Sequence, residues 1–387
     1  MKALWLGGLG GALIICLIGL GIYYAKQTAP VAAPVVSSEG EIRSETPMAE
    51  GKVYVAVENE GVIAVLSEKE NTLLTRLSLE KKDGLKLQRY TAHNVQVSPD
   101  GKSVWVTANV MEGSSRHGVQ KSIANVDDEV IVIDPRTDTI VKRISMGNDN
   151  HLSHVVLSPD GKFAYVASQE KNMVTEIDTQ TYVITRTHSL RSDSGPHGLR
   201  LSPDGRLAIL ALLEGKEMGI LDLQSGMTEY ISLPGAAVQT AVTPDGRYAL
   251  ASVYDPAGIA VYGLATKETR FVPLPSEAKG PVQIYASADS QKVYIADQGV
   301  YFEKDAGSKV YELNLQDMNV GRSILVGKAP HGVVVSADNS RLYVTNLESD
   351  DVSVVDLQNG TEIVRIPVGD APNGISAWTG SSLGKNP

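Results

Sequence analysis

The stretch from His331 to Gly369 reads HGVVVSADNSRLYVTNLESDDVSVVDLQNGTEIVRIPVG. It contains four short runs rich in β-branched residues: Gly332–Ser336, Arg341–Thr345, Val352–Asp356 and Glu362–Val368. Turn chemistry separates them, first Ala-Asp-Asn-Ser, then Asn-Leu-Glu-Ser-Asp, then Gln-Asn-Gly. Alternating strand formers bounded by such residues predict four consecutive antiparallel strands joined by hairpins. One four-stranded sheet cannot bury both of its faces, so it must stack against copies of itself.

Working outward from this stretch, the copies are found. The turn after the first strand of each unit recurs as Ser98-Pro-Asp-Gly, Ser158-Pro-Asp-Gly, Ser202-Pro-Asp-Gly, Thr243-Pro-Asp-Gly, Ser287-Ala-Asp-Ser and Ser336-Ala-Asp-Asn. Proline presets the turn, and Asp and Gly tolerate its tight return. Successive turns lie about 41 to 60 residues apart, the spacing of propeller blades with variable loops. Both ends of the array are partial. Val53–Val57, Val62–Ser67 and Leu73–Leu79 resemble strands two to four without a first strand, and Asn373–Trp378 resembles a first strand alone. Joined, they complete a ring and remove its exposed edge. The expectation is an all-β, seven-bladed β-propeller closed by strands from both termini.

Composition bounds the function. A net charge of -10, with no run of basic residues, disfavours nucleic acid as a partner, because phosphate tracking needs clustered Lys and Arg. The single cysteine, Cys16, rules out an intramolecular disulfide and any cysteine-built metal centre. Leu4 to Tyr24 (LWLGGLGGALIICLIGLGIYY) carries no charge and is long enough to cross a membrane as a helix. Lys2 before it, and Tyr23, Tyr24 and Lys26 at its end, suit an inside amino terminus and an exported body. The domain reading is a membrane anchor or signal segment at 1–26, a flexible linker at 27–51, the propeller at 52–380 and a disordered tail at 381–387. The expected location is periplasmic or cell-surface.

The stretch RLYVTNLESDDVSVVDLQNGTEIVRIPVGDAPNGI resembles the YVTN-repeat β-propellers, with the motif itself at Tyr343–Asn346. The resemblance covers roughly residues 52–380, with altered copies at Trp105-Val-Thr-Ala, Tyr165-Val-Ala-Ser and Tyr294-Ile-Ala-Asp. It implies the propeller fold. The related propellers include surface-layer proteins, periplasmic DNA-binding propellers, the haem d1 domain of cytochrome cd1 nitrite reductase and its maturation proteins, amine dehydrogenase subunits and lactonases. A fold with so many occupations does not choose among them.

Strand order places the candidate site. Six positions before the Pro or Ala of each turn stand His93, Ser153, His197, Val238, Val282 and His331, with Asn373 in the closing blade. One position later come Asn94, His154, Gly198, Gln239, Gln283, Gly332 and Gly374. Histidines therefore crowd one mouth of the central channel. One reading is a metal or haem site with His93, His197 and His331 as ligands, His154 beside them. The other is that the imidazoles cap strand ends and hydrogen-bond from blade to blade. The one-residue offset of His154 is expected to turn its side chain elsewhere on a pleated strand. His151 is expected in a solvated turn.

Two long loops fall on the same face. The loop over 109–128 is locally basic through Arg116, His117 and Lys121, and the loop over 297–308 presents Tyr301 and Phe302. No HExxH, GxSxG, Walker or dinucleotide-binding pattern occurs. The expected role is a non-catalytic binding or scaffold module for a partner protein or small ligand. A metal- or haem-handling redox propeller, or a subunit of a periplasmic redox enzyme, is the alternative, and a lactonase-like hydrolase the third.

Overall fold

The computed structural model describes residues 35–36, 51–84, 86–111, 126–301 and 304–378. The apolar span from Leu4 to Tyr24, the loop residues Arg116, His117, Lys121 and Phe302, and the tail at 381–387 lie outside these. Among the described residues no helix is long and apolar enough to cross a membrane.

The His331–Gly369 stretch folds as expected. Pro330–Val335, Arg341–Asn346, Asp351–Asp356 and Thr361–Pro367 form one antiparallel four-stranded sheet, in sequence order from the channel outward. Five more sheets repeat that order, with innermost strands Tyr90–Val97, Leu152–Leu157, Pro196–Leu201, Ala237–Val242 and Pro281–Ala286. We number these blades 1 to 5, and the sheet just described blade 6. In blade 7 the innermost strand is Pro372–Trp378, paired antiparallel with Lys52–Val57, which continues through Val62–Ser67 to Thr72–Ser78. Val35–Val36 runs parallel to its outer edge. A short hairpin, Lys81–Asp83 with Lys86–Gln88, links blade 7 to blade 1.

The core lies between blades. Along Val104–Val110, Val104, Val106 and Ala108 face blade 7, and Trp105 faces blade 2. The period-2 alternation of a strand thus feeds two different cores, and seven such layers close the ring.

Two recurrent motifs shape the blade. In the turns, the serine or threonine hydroxyl donates to the aspartate two residues on, as Ser158 Oγ does to Asp160 Oδ1 at 2.7 Å. The same oxygen accepts the amide that opens strand two, from Phe163 at 3.0 Å. In the YVTN motif, Thr345 Oγ1 accepts the amide of Gly332 at 2.6 Å and donates to Asn373 O of blade 7 at 2.8 Å. Asn346 Nδ2 donates to Asp351 Oδ1 at 2.7 Å and fixes the following hairpin.

All seven inner strands lose register with their neighbours at the same place. The irregularity falls at His93, Ser153, His197 and His331 and at the matching points in the other three blades. A bulge re-aims side chains and interrupts simple alternation. The backbone there also comes close to the next blade: a Cβ on Gly332 would stand 2.4 Å from Asn373 O, and one on Gly198 2.6 Å from Gln239 Cα. The glycine of the His-Gly pairs is therefore a packing requirement.

Candidate functional site: a histidine-lined channel mouth

The ring brings His93, His197, His151 and His154 together. The His93 ring meets those of His151 and His197 edge-on, each at 5.7 Å between centroids. His154 and His197 are 6.4 Å apart. The offset of His154 does not carry its side chain away from the channel, because the bulge breaks the alternation on which that expectation rested. His154 lies one layer deeper, with Nε2 3.1 Å from Asn94 Nδ2 and Nδ1 3.2 Å from Gln239 Nε2. His151 is half-buried against His93 rather than free in a solvated turn.

His331 stands beside this group. Gln298 Nε2 lies 2.7 Å from its Nδ1, and the Tyr301 ring packs edge-on at 5.7 Å. Tyr301 therefore turns inward: Gln298 Oε1 accepts its amide at 3.3 Å, and the Tyr254 hydroxyl donates to its carbonyl.

One carboxylate joins them. Glu58 Oε1 lies 3.1 Å from His93 Nδ1, and Glu58 Oε2 accepts Asn373 Nδ2 at 2.8 Å. Burial works to raise the Glu58 pKa. The charge and hydrogen bond of His93, the Asn373 amide and His331 together override it and bring Glu58 to about 2. Burial pushes the imidazoles the other way, His151 to about 4 and His197 and His331 to about 3, with the His93 charge adding to each shift. Burial, with Arg200 beneath it, also holds His154 well below its ordinary value. The mouth is thus one ionised carboxylate beside His93, ringed by neutral imidazoles.

Most of these imidazoles are engaged across blades. Val238 O of blade 4 lies 2.9 Å from His197 Nδ1, so that nitrogen carries the proton. Among the described residues, no group of three or more His, Cys, Asp or Glu side chains is placed to hold a metal ion. His93, His197 and His331, named from sequence as metal ligands, line one mouth without forming such a group.

Glu58 and Gln298 stand outside the inner strand, from which the sequence draws the candidate site. Both sit at the residue directly after the YVTN-equivalent motif, the place of Leu347 in blade 6. Reading that column across blades would have found them.

Comparison with known proteins supports the fold. A family model described as YNCE-like beta-propeller matches residues 102–224, and the YVTN-repeat resemblance holds at the level of this architecture. No curated protein matches the chain. The Kuenenia stuttgartiensis hydrazine synthase structure is similar at TM-score 0.62 and 18% identity, over 82% of this chain and 99% of that one. A periplasmic gluconolactonase from Pseudomonas aeruginosa gives TM-score 0.64 and 15% identity, over 85% and 99%. A dihydro-heme d1 dehydrogenase, NirN, gives 0.55 and 16%, over 88% and 66%. At these identities the likeness is one of fold, across proteins of different occupation.

Proposed function

We propose that the protein is a membrane-tethered, extracytoplasmic propeller that binds a partner protein or small ligand, without catalysis, on the face that carries the histidine mouth. The observation behind this reading is the engagement of the imidazoles. His93, His197, His154 and His331 each bond a group from another strand or blade, which stiffens a platform; among the described residues they form no three-ligand group. The tether rests on the uncharged span from Leu4 to Tyr24 and its flanking Lys and Tyr residues.

A second reading, a metal- or haem-binding propeller, draws on the contact of the His93 ring with His151 and His197 and on the likeness to a dihydro-heme d1 dehydrogenase. The likeness to a gluconolactonase places a hydrolase third. One purification separates them. The full chain is isolated from native membranes and analysed by absorption spectroscopy, elemental analysis, lactone hydrolysis and mass spectrometry of what co-purifies. The expected result is a colourless, metal-free, inactive protein with a bound partner or ligand, released from the membrane when residues 1–26 are removed. A Soret band, or a near-stoichiometric metal lost in His197→Ala, would overturn the binding reading in favour of the second, and lactone turnover in favour of the third.

A further inference from the structure

At the opposite mouth of the channel the inner strands open into a cavity of about 600 Å³. Its rim is built by the repeated turns themselves, through Pro99, Pro159, Pro203, Pro244, Ala288 and Ala337. Its walls are mixed: Val156, Ile284 and Val334 supply apolar surface, and Ser202, Ser336 and Asn339 stand among them as polar groups. Arg200, on the inner strand of blade 3, is the one charged side chain among the described residues that line it.

Arg200 is singular in its bonding as well. Its Nη1 donates to the carbonyl of Leu199 at 2.8 Å. Among the described residues no carboxylate pairs with it. Burial lowers its pKa from the ordinary value, and the nearby Tyr285 opposes that shift only in part. The guanidinium is half-buried, so a bound anion would complete a charge that water solvates only in part. Tyr285, Gln96 and Ser376 add polar groups to the same lining, and among the described residues no hydrogen bond occupies the Tyr285 hydroxyl.

We propose that this cavity binds a small organic monoanion, its carboxylate or sulfonate on Arg200 and its apolar body against the Val, Ile and Pro walls. A single cation suits a single negative charge, and a concave site of this size that sets apolar side chains beside convergent polar groups can hold a small amphiphilic anion. The guanidinium fork matches a carboxylate in two-point geometry. The cavity opens on the face of the Ser-Pro-Asp-Gly turns, opposite the histidine mouth, and the Arg200 charge acts on His154 of that mouth.

The probe is naphthoate, a fluorescent aromatic monocarboxylate, titrated into the full chain held in zwitterionic nanodiscs, with empty discs as blank. Naphthylmethylammonium is the control of equal bulk and opposite charge. The expected result is saturable binding of one naphthoate per chain, none of the cation, and affinity about tenfold or more weaker in Arg200→Met, as for loss of a hydrogen bond to a charged group. Circular dichroism and the thermal midpoint certify the variant's fold. Should Arg200→Met not fold, Ala337→Trp, at an exposed rim position, takes its place and is expected to weaken binding by obstruction. No saturable binding above the blank, equal binding of the cation, or unchanged affinity in the folded variant overturns the proposal.

Discussion

At the scale of single residues, the channel mouth is governed by closeness. A methyl group on Gly332 would meet the Asn373 carbonyl at 2.4 Å, and one on Gly374 the Asn94 Cα at 2.8 Å. These neighbours are backbone atoms in a closed ring and cannot step aside. Gly332→Ala is expected to cost about 1–3 kcal/mol by overpacking, read as a lowered thermal midpoint. Gly321→Ala, whose nearest neighbour would stand 4.0 Å away, is expected to leave it unchanged; equal midpoints for the two variants would contradict the account. Charge at the same mouth gives a second prediction. Glu58, held to about 2, contributes stability that is full above its ordinary 4.5 and is lost as pH falls through the folded value. His197 and His331, at about 3, and His151, at about 4, resist protons that unfolded imidazoles accept near 6.5. In that window the unfolded state binds more protons, so both groups act in the same direction and stability declines on acidification. The thermal midpoint is expected to fall steadily from about pH 6.5 to about pH 4, with a shallower slope in His197→Gln. A flat profile over that range would rule the arrangement out.

At the scale of the element, the inner strand with its bulge is the working unit. Thr345 supplies the hydroxyl that the bulge needs, accepting from Gly332 and donating to Asn373 of the next blade. Thr345→Val keeps the shape and strands two buried backbone groups, so a loss of about 1–3 kcal/mol is expected, with Thr345→Ser recovering most of it. Thermal or denaturant melts of the three proteins provide the check, and a valine variant as stable as the parent would refute the role. Strand order and blade count were legible from the Ser-Pro-Asp-Gly turns and the alternation of Val with polar residues, because both are local patterns. The side-chain direction at the mouth was not. Simple pleating sends His154 away from the channel, whereas the bulge keeps it there beside Asn94 and Gln239. A bulge is a property of two paired strands, and a single strand's sequence does not display it. Glu58 was hidden for a related reason: its importance comes from His93 and Asn373, which the chain places 35 and 315 residues away. Arg200 likewise looks like an ordinary polar residue of a strand until seven strands meet around it.

At the scale of the whole molecule, stability depends on how the ring closes. Blade 7 is the one sheet assembled from both ends of the propeller, with Lys52 opposite Trp378 and Val55 opposite Ile375. It is tied to both neighbours: the Lys52 ammonium and the Tyr54 hydroxyl reach Asp138 of blade 1 at 2.8 and 2.6 Å, and Arg341 of blade 6 reaches the Asn71 side chain at 3.0 Å. Opening the ring must therefore break a sheet as well as an interface between sheets. Removing residues 372–378 would expose the unpaired edge of Lys52–Val57 and uncover the inner ends of two interblade cores, and such an edge recruits other chains. That truncation is expected to lose cooperative unfolding and to run as oligomers in light scattering. A circular permutant is the sharper test. Lys52 and Trp378 are already antiparallel partners, so a short turn can join the end of 372–378 to residue 51, with the new amino terminus at Pro372. Every strand pair is then preserved, but closure rests on packing between blades 6 and 7 alone. The permutant is expected to fold as a monomer with a lower thermal midpoint and faster unfolding than the parent. Unfolding as slow as the parent's would show that side-chain layers alone hold the ring shut, and that the shared sheet adds nothing to it.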